Sequence, residues 1–194
     1  PTRRSSDLHE TRVFRASGAR LLEGGLYLSE MPGSINVAED GITAPEPDPL
    51  VHRAIIPWQN TRSNGDRPRY TGWGGARADS SPHGQALRVA NREFPSGIGI
   101  LANSRLEVRN AGFGAVQAMV GVDDTSVDTT TPVRFEIYGD GVLLAQSEWM
   151  AFGDAPRPLA ADTAGVDIVE LVVRSQAPTA RGLAVVWGDA ALMR

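Results

Sequence analysis

The stretch that decides the fold is "VRFEIYGDGVLLAQS", Val133 to Ser147. Val133, Phe135 and Ile137 alternate with Arg134, Glu136 and Tyr138, the period-two pattern of a strand with one buried face. Gly139-Asp140-Gly141 then supplies residues that tolerate positive φ, and Val142-Leu143-Leu144 begins a return strand. The pattern predicts a β-hairpin. It carries no catalytic apparatus.

Around this hairpin, from Leu87 onward, the chain reads as a succession of strands. Leu87 to Ala90, Ile98 to Leu101, Arg105 to Val108 and Gly114 to Val122 precede it, and Asp167 to Arg174 and Leu183 to Trp187 follow. Turn clusters separate them at the spacing of an all-β sandwich. Val169, Leu171 and Val173 alternate with Glu170, Val172 and Arg174, giving one core face. No segment has a helical period of useful length. Aromatic residues are 6% of the chain, so aliphatic side chains must fill the core.

The segment before these strands is different. Pro1 to about residue 25 is a polar, Arg- and Ser-rich tail with one edge strand expected at Thr11 to Leu22. Residues 26 to 194 form a single module, with a long irregular insertion at 34–71. Within that insertion "APEPDPL" spaces three prolines at alternate positions, which forces an extended, irregular path. One short strand is expected near Arg53 to Ile56. The chain starts at Pro1 rather than Met and is read as a trimmed or mature fragment.

Composition removes several functions. The 194 residues hold no Cys, so thiolate nucleophiles, thiolate metal sites and disulfides are excluded. There is no Lys; all 19 basic residues are Arg, which removes the P-loop lysine and Schiff-base chemistry. A net charge of −4 argues against sequence-independent nucleic-acid binding. No apolar run approaches a membrane span. His9, His52 and His83 are far apart and match no ligand spacing. Gly97-Ile98-Gly99 and Gly112-Phe113-Gly114 lack the third glycine of a dinucleotide fingerprint. No enzyme is expected.

Seven motifs fall in order: "LYLSEMP" (26–32), "GWGGARADSS" (72–81), "GIGILANSRLEV" (97–108), "VGVDDTS" (120–126), "FEIYGDGVLLAQS" (135–147), "IVELVV" (168–173) and "VVWGDAAL" (185–192). Together they resemble the NPCBM family, the novel putative carbohydrate-binding module. The resemblance implies an all-β fold, an antiparallel β-sandwich of jelly-roll, galactose-binding-like type. It also implies a non-catalytic sugar-binding module on a secreted, extracellular or cell- or virion-surface protein. Two places depart from the family pattern. Leu101 stands where the family tends to have His, and Leu183 to Val186 are all apolar where it often has Asp and His. The resemblance therefore carries the fold further than it carries the sugar site.

Sugar recognition needs an aromatic face against the pyranose C–H surface and planar polar groups for neighbouring hydroxyls. Trp58 to Asp79 is the stretch that gathers both. The ligand-binding candidates are Trp73, Arg77 and Asp79 first, then Tyr70 and Trp58, with Asn103 in the turn after the G-x-G pair. Trp187 reads as a core plug whose indole N–H needs a partner, and Trp149 as a half-buried strand residue. Asp123 to Asp128 reads as a solvated acidic turn. Modules of this resemblance often hold a structural calcium; Glu30 and Asp189, near the two ends of the folded unit, are its candidate ligands. The expected partner is a glycan, a galactose-like sugar among the options. The alternative is a structural or assembly domain of a surface layer, virion or multidomain enzyme, with other domains or copies as partners.

Overall fold

The computed structural model describes residues 22–30, 35–37, 76–177 and 182–194, with backbone alone at 35–37. In chain order the strands are β1 (Gly25–Tyr27), β2 (Ile35–Val37), β3 (Arg77–Ala78), β4 (Leu87–Val89), β5 (Arg92–Phe94) and β6 (Gly97–Leu101). Then come β7 (Ser104–Arg109), β8 (Ala115–Val122), β9 (Val133–Gly139) and β10 (Val142–Gln146). The last are β11 (Arg157–Asp162), β12 (Ile168–Ser175) and β13 (Ala184–Met193). A 3-10 turn at Leu28–Glu30 follows β1.

Two antiparallel sheets make the sandwich. One runs β11-β8-β13-β6-β3, with β1 pairing the far end of β13; the other runs β10-β9-β12-β7-β2. The hairpin read from sequence is β9–β10, with Val142 opposite Gly139 and Leu143 opposite Tyr138. Its two turn residues, Asp140 and Gly141, have φ of 45° and 85°. Two successive positive φ values give the turn that matches strand twist, which is why Asp-Gly stands here. The first three described residues of the expected insertion, Ile35 to Val37, extend the second sheet by pairing with β7. The strands expected at Thr11 to Leu22 and at Arg53 to Ile56 fall outside the described residues except for Leu22, which precedes β1.

The core lies between the sheets. Val133, Phe135 and Ile137 of β9, Leu106 and Val108 of β7, and Val169, Leu171 and Val173 of β12 face it from one side. Val116, Val120 and Val122 of β8, Ile98 and Ile100 of β6, and Val185, Trp187 and Leu192 of β13 face it from the other. Trp187 is the core plug expected from sequence, packed edge-on against Phe135 at 5.1 Å between ring centroids. Such a pair adds about 0.5–1.5 kcal/mol beyond its buried area. The indole N–H has no hydrogen-bond partner.

The alternation breaks one expectation. β7, β9 and β12 bury both faces, and the outward residues are charged: Arg105, Glu107, Glu136 and Glu170 are all buried. Register explains it. Glu170 lies opposite Glu107 on one neighbour and Tyr138 on the other, and Val172 lies between Arg105 and Glu136. Arg105 donates from Nε to Glu170 Oε2 at 2.6 Å and bonds Glu107 as well. Arg134 and Arg174 both close on Glu136, each at 2.7 Å. Long side chains of opposite sign, laid across three strands, cover one another.

A second, smaller core sits on the opposite side of the molecule. The β4–β5 hairpin lays Leu87, Val89 and Phe94 over Val186 and Met119 on the outer face of the first sheet. The sheet is flattened there by glycine. A Cβ on Gly121 would lie 2.4 Å from Val89 Cγ1, and one on Gly188 would lie 2.5 Å from Phe94 Cδ1. A Cβ on Gly99 would lie 2.4 Å from the Ser80 carbonyl oxygen. The Gly97-Ile98-Gly99 pair is thus a site of close backbone approach.

The hairpin is fastened by the segment expected to be a solvated acidic turn. Asp123 is buried; it accepts from the Thr125 N–H at 2.8 Å and the Arg88 N–H at 3.3 Å. Asp124 accepts from the N–H groups of Ala90 and Asn91, at 2.8 and 2.9 Å. Both residues beneath those amides have positive φ, so the carboxylate holds a turn that few side chains adopt readily. Asp128 is the more solvated member. Hydrogen bonds from Thr131 and Thr130 hold its carboxyl below the usual range.

Candidate functional site

Trp58, Tyr70 and Trp73 lie outside the described residues. Arg77, Asp79 and Asn103 are described, and they fall at two different places. Arg77 is exposed on β3, the edge strand of the first sheet, opposite Gly99 of β6. Its Nη1 would lie 3.4 Å from a Cβ at Gly84, so the guanidinium leans over the turn at Ser81–Gly84. That turn is tied by the Gly84 N–H to the Ser81 carbonyl at 2.8 Å and by the Ser81 N–H to Gln85 at 2.7 Å.

Asp79 follows at φ 56°, a conformation in which Asp and Asn are enriched. It holds Gly97 from both sides: its N–H donates to the Gly97 carbonyl at 2.8 Å, and its Oδ1 accepts from the Gly97 N–H at 3.1 Å. Asn103 stands at the other end of β6, in the turn to β7, at φ 60°. Its Oδ1 accepts from the Ser175 N–H at 2.8 Å, and its Nδ2 donates to Ser175 Oγ at 2.8 Å. From Gly97 to Leu101 alone the strand covers about 13 Å at about 3.3 Å per residue. One sugar ring cannot touch both Asp79 and Asn103. Their bonds give each a turn-building role, and Arg77 keeps the more open side chain.

The apolar run Leu183 to Val186 leads into and begins β13 and is wholly buried. Val185 enters the main core and Val186 the smaller one. These positions cannot present a polar group to a ligand.

Glu30 ends the 3-10 turn after β1 and Asp189 lies within β13, and β1 pairs β13 with Tyr27 opposite Ala191. The 3-10 turn carrying Glu30 packs on β3, β6 and β13. Asp189, at φ 47°, occupies the bulge between Gly188 and Ala191 and donates its N–H to the Ser96 carbonyl at 2.8 Å. Among the described residues, no three His, Cys, Asp or Glu side chains gather to hold a metal.

Sequence reasoning missed one arrangement. Trp149 is 39% exposed and stands in the loop after β10 rather than within a strand. The Arg134 guanidinium lies over its ring at 5.0 Å. The signal was available: Arg134, Glu136 and Tyr138 project from one face of β9, and Glu170 and Arg174 from the same face of β12.

An antiparallel sandwich of this kind is an architecture that carbohydrate-binding modules adopt. The chain belongs to the NPCBM/NEW2 domain family, whose model matches residues 56–193. Among solved structures it is similar to the Clostridium perfringens ZmpB M60 catalytic domain with its CBM51-1 and CBM51-2 domains, at TM-score 0.59 and 25% identity. That match covers 63% of this chain and 14% of the other. CBM51-2 of the same protein, in complex with GlcNAc and with INT domains, matches at TM-score 0.56 and 26% identity, covering 63% and 28%. The CBM51 of Clostridium perfringens GH95 in complex with methyl-galactose matches at 0.53 and 24%, covering 63% and 90%. This chain thus spans 14% and 28% of the two ZmpB chains. A search of curated proteins found no match. Among the described residues no helix is long and apolar enough to cross a membrane.

Proposed function

We propose that this chain is a non-catalytic glycan-binding module that anchors a larger extracellular or surface protein to its target. The family match over residues 56–193 carries this reading. The likeness to a module in complex with GlcNAc supports an N-acetylhexosamine as the first ligand to test, and the family resemblance supports a galactose-like sugar as the second. The proposed site is the β3 end. Arg77 would offer paired N–H donors to neighbouring hydroxyls, and the sequence offers Trp73, Tyr70 and Trp58 as candidate aromatic partners, outside the described residues. Asp79 shapes the turn beneath Arg77. Titration calorimetry with both sugars, on wild type, Trp73→Ala and Arg77→Ala, tests it. Loss of binding in the two variants with an unchanged melting temperature is the expected result. Unchanged affinity discredits the site, and turnover of any glycoside by the isolated chain overturns the non-catalytic assignment.

A second reading has its own observation. Leu183 to Val186 are core, and Asp79 and Asn103 are engaged in turns, so these positions offer little to a neutral sugar. That favours a structural or assembly domain. No binding on a glycan array, together with stable self-association, would decide for it.

A structural calcium at the junction of β1 and β13 is consistent with the donor chemistry. Calcium takes carboxylate and carbonyl oxygens. Glu30 and Asp189 would hold it, and the ion would fasten the 3-10 turn to the last strand without entering any chemistry. Chelator should then lower the melting temperature, and Asp189→Ala should remove that response. A melting temperature unaffected by chelator excludes the ion.

A further inference from the structure

The outer face of the second sheet carries a cluster that the loop site does not use. Glu136, buried, is its centre. Arg134 donates to Glu136 Oε1 from Nε at 3.0 Å and Nη2 at 2.7 Å. Glu136 Oε2 accepts from Arg174 Nε at 2.7 Å and from the Tyr138 hydroxyl at 2.8 Å. Four donor groups on one carboxylate leave it no freedom, and through it they fix the two guanidiniums. Arg134 then lies over the Trp149 ring at 5.0 Å. The indole is thereby held in place although it is one of the most exposed large apolar side chains described.

The parts that are locked differ from the parts that are presented. The Glu136 side chain is 2% exposed, those of Arg134 and Arg174 are 29% and 33%. Nη1 of Arg134 takes no part in the Glu136 bonds. Glu148 adjoins Trp149, but its carboxylate enters none of these bonds; its carbonyl accepts from Ser147 Oγ. An ordered aromatic face beside planar, positively charged donors suits a pyranose bearing an anionic group. The ring C–H surface meets the indole, and a carboxylate or sulfate meets the guanidinium fork.

We propose that Trp149 and Arg134 form a second glycan subsite, specific for a sugar unit that carries a carboxylate or a sulfate. It is separate from the Arg77 end. β9 lies beside the β10 edge of its sheet, β10 packs against β11, and β11 and β3 are opposite edges of the other sheet. The two sites therefore occupy different sheets and opposite sides of the sandwich. The subsite rests on the glycan-binding reading only for its ligand class.

The test is titration calorimetry of the whole chain with three oligosaccharides of equal length: a hexuronate, a sulfated hexosamine and a neutral hexosamine. Binding of either charged probe, weakened tenfold or more in Trp149→Ala and Arg134→Gln but unchanged in Arg77→Ala, supports the subsite. The probe that binds identifies the anion. Added salt should weaken this binding and leave any neutral-sugar binding unaffected. Arg134→Lys keeps the charge and the Glu136 partner but loses the fork; an intermediate loss in that variant keeps the test valid if Arg134→Gln proves unstable. Failure of both charged probes to bind, or binding that survives Trp149→Ala and Arg134→Lys, overturns it. Loss of neutral-sugar binding in Arg77→Ala alone bears on the other site only.

Discussion

Glu170 offers a quantitative test of how the charged belt is balanced. Its carboxylate lies between Glu107 and Tyr138 across three strands, takes one bond from Arg105 at 2.6 Å, and leaves Oε1 without a hydrogen-bond partner. Burial pushes its pKa from the ordinary 4.5 up to about 7; Arg105 opposes the rise and Asp140 adds to it. Between those values the folded chain holds a proton that the unfolded chain has released. Stability from this group is therefore complete below pH 4.5 and declines as pH climbs to about 7. At about 1.36 kcal/mol per pH unit the decline amounts to about 3 kcal/mol, an upper bound for one coupled carboxylate. Glu170→Gln fixes the neutral form. Urea unfolding of both proteins at pH 5 and pH 8 is the assay. The variant should match wild type near pH 5 and exceed it at pH 8 by up to about 3 kcal/mol, or roughly 6–12 °C in melting temperature. A variant less stable than wild type at pH 8 would refute the reasoning, because the Arg105 ion pair would then outweigh the cost of burying the charge.

Glu136 should behave in the opposite sense. Burial alone would raise its pKa, but bonds from Arg174, Tyr138 and Arg134 hold it below the usual range, so it stabilises above pH 4.5 and is lost on acidification. Glu136→Gln should therefore flatten the acid limb of the stability curve and cost stability at pH 7, by urea unfolding. Gly121→Ala should destabilise by about 1–3 kcal/mol through overlap with Val89, and Val89→Ala in the same chain should recover part of that loss beyond additivity. Asn103→Ala removes the side-chain hydrogen bonds to Ser175 and Ala177 and puts a residue less suited than Asn to positive φ at φ 60°, for about 1–3 kcal/mol; Asn103→Gly should cost less because glycine adopts that φ without strain.

Most strands were legible because core residues alternate in β9, β12 and β8, where bulky aliphatic side chains leave no other reading. β11 was not. Its sequence "RPLAAD" buries only Leu159, and its Pro158 is tolerated because the strand lies at a sheet edge. β5 and β3, at three and two residues, are too short for a period to show. The charged belt was hidden for a different reason. Arg105, Glu107, Glu136 and Glu170 look solvated in any one strand, and only the pairing of β7, β9 and β12 shows that, with Arg134 and Arg174, they cover one another. Of the candidate residues, Arg77 lies on an exposed edge strand, a position its two-residue strand does not announce, and the turn roles of Asp79 and Asn103 depend on contacts 18 and 72 residues away in sequence. No local pattern encodes such distances.

The glycine-floored patch beneath the β4–β5 hairpin also bears on engineering. Positions 99, 121 and 188 belong to three strands, yet each sets how closely the ribbon above can settle. Grafting this ribbon onto a related scaffold would succeed only if the bare positions travel with it. Conversely, a bulkier ribbon would have to be matched by no change below, because the sheet has no further atom to give up.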